Sequence, residues 1–143
     1  MNDNQGPSHK KDKPNPVNTT TLAFLGDAFY ELEVRRRLAE GGGSYAADKL
    51  HAAAVRYVNA SSQAKALRGL MEHDALSEEE LDIVRKARNR KPKSVPKHTD
   101  PVDYKYATAF EALLGWHYME GRAGRAGELT ELAILVIGGG VKL

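Results

Sequence analysis

Six apolar stretches with helical spacing, each bounded by helix-start or helix-stop chemistry, constrain this chain to an all-α fold. In the first, Leu22, Leu25, Phe29 and Leu32 recur three or four residues apart, which puts them on one helix face as a core stripe. Thr20 or Thr21 supplies the N-cap, and Gly41-Gly42-Gly43 makes continuation unfavourable. A second stretch runs from Ala46 to Val58, with Leu50, Ala54 and Val58 on one face; Asn59 breaks it from a third, Ser61 to Glu72. Ser77-Glu-Glu-Glu80 reads as a capping box, in which the Ser hydroxyl and the Glu carboxylate satisfy each other's backbone N–H groups, and Lys91-Pro92 stops the helix it opens. Asp100-Pro101 starts a fifth helix, which carries Tyr106, Ala109, Phe110, Leu113, Leu114 and Trp116 up to Gly121. A sixth spans Glu128 to Ile137 and ends at Gly138-Gly139-Gly140. No segment alternates apolar and polar residues as a strand would.

A chain of 143 residues supports one domain around one core. Residues 1–19 are rich in Pro, Asn and Lys and nearly devoid of apolar side chains, so they read as a disordered tail; residues 20–143 form the folded domain. No apolar run is long enough to span a membrane, and the N-terminus lacks the apolar stretch of a signal peptide. The absence of cysteine excludes thiolate metal sites and suits a cytoplasmic location. The five histidines show no zinc spacing, which argues against a zinc enzyme.

Two acids interrupt the apolar helices: Asp27, in Leu22-Ala-Phe-Leu-Gly-Asp27, and Glu111, in Thr108-Ala-Phe-Glu111-Ala-Leu-Leu-Gly115. An ionised carboxylate in an apolar wall costs several kcal/mol or becomes protonated, unless it is paired. One reading has both acids share a hard cation such as Mg²⁺. The other pairs Asp27 with one of Arg35 to Arg37 and leaves Glu111 as a solvated helix residue. Gly26 and Gly115 beside them suggest a close helix approach that brings the two carboxylates together, or simple tight packing.

These segments resemble the signature helix and the later acidic helix of the ribonuclease III catalytic domain. The first keeps the family's Leu-Glu-Phe-Leu-Gly-Asp motif except its Glu, here Ala23. The second keeps the Asp-x-x-Glu-Ala-Leu-Ile/Leu-Gly motif except its first Asp, here Thr108. Both departures, the short chain and the segment Arg88-Asn89…Pro96-Lys97-His98-Thr99-Asp100 are similar to the Mini-ribonuclease III branch. The resemblance runs from about Thr20 to Ile137. It implies a ribonuclease III endonuclease-domain-like helical bundle acting as a Mg²⁺-dependent endoribonuclease. Asp27 and Glu111 are then the metal-binding and catalytic residues, and Thr108 contributes a hydroxyl or holds a water. It further implies a homodimer that cuts both strands of duplex RNA with 5′-phosphate and 3′-hydroxyl ends, in maturation of large-subunit (23S) ribosomal RNA precursor. The alternative is a degenerate, non-catalytic member of the fold that only binds structured RNA.

No acid lies between Asp82 and Asp100, while Arg85, Lys86, Arg88, Arg90, Lys91, Lys93 and Lys97 all carry positive charge. That density points to a polyanion contact. Arg88, Asn89, Arg90, Lys91, Lys93 and Lys97 are the candidate RNA-binding residues, with Ser94 and Thr99 as possible contacts to riboses or base edges. Arg56 and Gln63 fall where Mini-ribonuclease III sequences resemble this one, although ordinary surface roles suit both.

Overall fold

The computed structural model describes residues 18–41, 46–92 and 94–139. Among them are six helices and no strand: α1 Thr19–Glu40, α2 Ala47–Val58, α3 Ala60–Glu72, α4 Glu78–Asn89, α5 Pro101–Met119 and α6 Ala123–Gly138. The all-α expectation holds. The tail over residues 1–17, Gly42 and Gly43, Lys93 and the tip from Gly140 onward lie outside the described residues. No described helix is long and apolar enough to cross a membrane.

Most of the local start signals act as expected. Ser77 and Glu80 form the reciprocal capping box on α4, and Asp100 caps α5 ahead of Pro101. Asn59 both ends α2 and caps α3, its side chain accepting from the Ser62 N–H at 2.8 Å. Two starts differ. The cap of α1 is Asn18, not Thr20 or Thr21; it accepts from the Thr21 N–H, and Thr19 is buried inside the first turn. Helix α6 begins at Ala123, five residues earlier than expected, despite Gly124 and Gly127 in its first turns. Tertiary contacts override that weak propensity: Ala126 is fully buried, and Arg125 is locked into a buried ion cluster.

α5 is the central helix. It packs against α1, α3, α4 and α6, and its Phe110, Leu113 and Leu114 are fully buried. The face α1 turns to it is not the stripe Leu22, Leu25, Phe29 and Leu32. Leu22 is buried, but Leu25 and Phe29 are only half-buried and Leu32 is 64 % exposed. The buried face is Thr19, Leu22, Ala23, Gly26, Tyr30 and Val34. Small residues win because the two backbones nearly touch. A Cβ on Gly26 would lie 1.7 Å from the Glu111 carbonyl oxygen, and one on Gly115 would lie 1.9 Å from that of Leu22. Tyr30 fills the space beyond the crossing, edge-on to Phe110 with ring centroids 5.2 Å apart.

A polar cluster fixes the other end of α5. Glu80 is almost fully buried; one carboxylate oxygen accepts from the Ser77 N–H at 2.8 Å and from Arg125 Nη2 at 2.9 Å. Its other oxygen accepts from Arg125 Nε at 2.8 Å and from His117 Nε2 at 2.7 Å. Arg122 Nε donates to His117 Nδ1 at 3.0 Å, so the imidazole carries its proton on Nε2. Burial holds the His117 pKa below its usual value. Burial pushes the Glu80 carboxyl upward, but Arg125, the Ser77 N–H and His117 outweigh it and hold the group at about 2. The cluster ties α4, α5 and α6 together.

Candidate active site

Asp27 of α1 and Glu111 of α5 line one open cavity of about 440 Å³. They arrive there because of the glycine crossing. Gly26 precedes Asp27, and the atom its missing side chain leaves room for is the carbonyl oxygen of Glu111 itself. The packing role and the site-building role of these glycines are one geometry. Ala23, Phe24 and Thr20 complete the α1 wall, and Tyr104, Lys105 and Thr108 complete that of α5. Ala87 at the end of α4 and Arg90, Pro92 and Ser94 beyond it close the third side.

Glu111 is not a solvated helix residue. Burial, reinforced by the charge of Asp27, raises its pKa to about 8. Nor does Asp27 pair with the arginines of its own helix. Arg35 reaches Glu31 at 3.5 Å, Arg36 binds Glu33 and Glu40, and Arg37 binds Glu33. The two carboxyl groups thus face each other with no ion-pair partner among the described residues, and without a cation Glu111 keeps its proton at neutral pH.

Such a pair suits a divalent cation. No group of three or more His, Cys, Asp or Glu residues that could hold a metal occurs among the described residues. Two carboxylates with the Thr108 hydroxyl nearby match a hard ion that keeps several of its waters, as Mg²⁺ does, better than one that demands a full protein cage. At the positions where the family motifs carry the missing acids, the cavity wall presents the methyl of Ala23 and the hydroxyl of Thr108.

The basic segment divides. Arg90 and Ser94 line the cavity with the acids. Asn89, Lys91 and Lys97 are exposed but outside it, and Lys93 lies outside the described residues. Arg88 is half-buried; it donates to the Tyr106 hydroxyl at 3.0 Å and lies 5.1 Å from the centre of that ring, which Arg68 also approaches at 4.4 Å. Arg85 and Lys86 pair with Asp82. Thr99 is half-buried, and Arg56 is exposed beside Tyr57.

Gln63 corrects the sequence reading outright. It is 2 % exposed rather than on the surface, and its Nε2 donates to the Val58 carbonyl at 2.8 Å while its Oε1 has no partner. Its polarity disguised it, since glutamine is mostly exposed. Thr20, Tyr104 and Lys105 were also missed. Lys105 stands three residues before Thr108 and six before Glu111, a helical spacing that the sequence does contain.

Comparison with known proteins places the chain in a family. The Ribonuclease III domain family matches residues 20–122. Mini-ribonuclease 3 of Symbiobacterium thermophilum is 49 % identical over 79 % of this chain and 85 % of its own length. Mini-ribonuclease 3 of Brevibacillus brevis is 44 % identical over 88 % of this chain and 92 % of its own, and that of Staphylococcus aureus 36 % over 94 % and 97 %. The crystal structure of a Fusobacterium nucleatum protein superposes with a TM-score of 0.69 at 32 % identity, over 84 % of this chain and 91 % of that one. The chain belongs to the ribonuclease III family, in its Mini-ribonuclease 3 branch.

Proposed function

We propose that this protein is a Mg²⁺-dependent endoribonuclease that cuts both strands of duplex RNA as a homodimer. That it is an endoribonuclease follows from the family. The observation that carries the finer reading is the convergence of Asp27, Glu111 and Arg90 on one open cavity. Asp27 and Glu111 hold the ion, and Thr108 orients a water beside it. Bound Mg²⁺ supplies the Lewis acidity that activates water and stabilises the leaving 3′ oxygen, giving 5′-phosphate and 3′-hydroxyl ends. Arg90 faces the RNA backbone across the groove, and the exposed Asn89, Lys91 and Lys97 extend the contact. Contacts of this kind neutralise phosphates and carry little sequence information.

Dimerisation is supported by the outer face of α1. Phe24, Ala28 and Leu32 follow one another at intervals of four, with Phe24 80 % and Leu32 64 % exposed. Tyr118 and Met119 at the end of α5 are about half exposed, and Tyr118 packs at a tilt against Phe29 of α1, ring centroids 5.7 Å apart. A two-fold partner on this face sets two cavities on one duplex. The substrate class we assign is structured precursor of large-subunit ribosomal RNA, met in the cytoplasm. Incubation of purified protein with duplex RNA and Mg²⁺ tests the reading. Staggered cuts on both strands are expected; binding without cleavage identifies a non-catalytic RNA-binding protein instead.

A further inference from the structure

The cavity that holds Asp27 and Glu111 holds two cations as well, Arg90 and Lys105. Lys105 is exposed in the second turn of α5, one turn before Thr108 and two before Glu111. Several cations elsewhere in the fold are held by carboxylates, Arg68 by Asp103 at 3.2 Å, Lys86 by Asp82 at 3.2 Å and Arg125 by Glu80 at 2.8 Å, whereas exposed ones such as Lys65 and Lys97 are not. Neither Arg90 nor Lys105 forms an ion pair among the described residues, and neither lies within ion-pair distance of the two acids whose cavity they share. A lysine placed to neutralise those acids for stability would touch one of them.

The charges in the groove constrain what it takes. With both carboxyls ionised, as metal binding requires, the two carboxylates and two cations leave the side chains neutral overall, so without the ion a phosphodiester is repelled at one wall and attracted at the other. A divalent ion on the acids makes the whole groove positive. We propose that Lys105 is a phosphate-contacting residue of this site, its ammonium donating to a non-bridging oxygen of the phosphodiester held between it and the two carboxylates. This rests on the duplex-RNA reading above. The ammonium keeps its proton throughout and takes no part in bond making. It opposes the charge that builds on the phosphate oxygens as the nucleophile adds, from a fixed position on a helix rather than on a loop. Arg90, after the end of α4, grips the backbone from a different element.

The test compares Lys105→Ala, Lys105→Gln and Lys105→Arg with wild type. Three quantities are read: kcat/KM on a defined duplex with Mg²⁺, the slope of log Kd against log salt for the same duplex in EDTA, and Tm. Lys105→Ala and Lys105→Gln are expected to lower kcat/KM by about tenfold or more. They should reduce the salt slope by roughly one phosphate contact, about 0.7–0.9. Tm should stay at the wild-type value, because the side chain is exposed. Lys105→Arg should recover most of the loss, since it restores the charge. Cleavage by Lys105→Ala at the wild-type rate, an unchanged salt slope, or a loss that Arg does not rescue and that a lowered Tm accompanies, each overturns the proposal. The wild-type control separates the two levels. Failure of wild type to cut any duplex overturns the nuclease reading and this proposal with it, whereas an active wild type with an equally active Lys105→Ala overturns the role of Lys105 alone.

Discussion

Gly26 and Glu111 are in backbone contact: the space a Gly26 side chain would fill is the Glu111 carbonyl oxygen. The helix crossing and the pairing of the carboxylates are therefore one structural fact. Gly26→Ala and Gly115→Ala must separate α1 from α5, because the obstructing atoms are backbone and cannot swing away. Overpacking usually costs about 1–3 kcal/mol, and these substitutions should reach or exceed the upper end. Urea unfolding reads this directly. A midpoint within error of wild type would show that the helices do not approach so closely.

Buried Glu80 and half-buried Glu111 give stability opposite pH dependences. Glu80 has a folded pKa of about 2, below its ordinary 4.5, so its contribution is complete above pH 4.5 and is lost as pH falls toward 2. His117, depressed below 6.5 by burial, acts in the same direction from a higher pH. Glu111 acts the other way: raised to about 8, it favours the metal-free fold below pH 4.5 and penalises it as pH rises through 8. In EDTA, Tm should fall on both sides of a mid-range optimum. Glu111→Gln should flatten the alkaline side and raise Tm at pH 8, while Glu80→Gln should lower Tm at neutral pH. Identical alkaline limbs for wild type and Glu111→Gln would exclude a raised Glu111 pKa from its pairing with Asp27.

The helices were legible because caps and stop signals are local chemistry: Ser77 with Glu80, Asp100 with Pro101 and Asn59 each act where the sequence places them. The packing face of α1 was not. Apolar periodicity favours Leu25, Phe29 and Leu32, yet contact depends on what a neighbour lets approach, and Ala23 and Gly26 permit an approach that leucines forbid. The start of α6 was hidden for a related reason, since Arg125 gains its partner Glu80 only in the folded chain. Asp27 and Glu111 were conspicuous as charges in apolar surroundings. Lys105 and Gln63 were not, because a lone lysine and a lone glutamine look like ordinary surface.

Phe24 is expected at the centre of a dimer contact. Phe24→Lys puts a charge on that face, which should shift the protein to monomer in analytical ultracentrifugation and abolish paired cleavage of the two strands. The fold should persist, since the side chain is 80 % exposed. A Phe24→Lys protein that sediments as wild type and still makes paired cuts would exclude this face as the interface.

Replacing Arg90 and Lys91 together by Ala should weaken duplex binding and reduce the slope of log Kd against log salt, because fewer counterions are released. Stability should change by less than about 0.5 kcal/mol, as is usual for exposed positions. Arg88→Ala should behave differently and lower Tm, because its guanidinium is engaged by Tyr106. An unchanged salt slope for the double variant would remove this segment from the RNA path.

In the proposed site Asp27 and Glu111 act as a pair on one metal ion. The measurement is cleavage of duplex RNA by Asp27→Asn and Glu111→Gln across a Mg²⁺ titration, with duplex binding followed in parallel. Both variants should stay folded and bind RNA, and neither should cleave at any Mg²⁺ concentration at which wild type is active. Cleavage near the wild-type rate by either variant would contradict the claim.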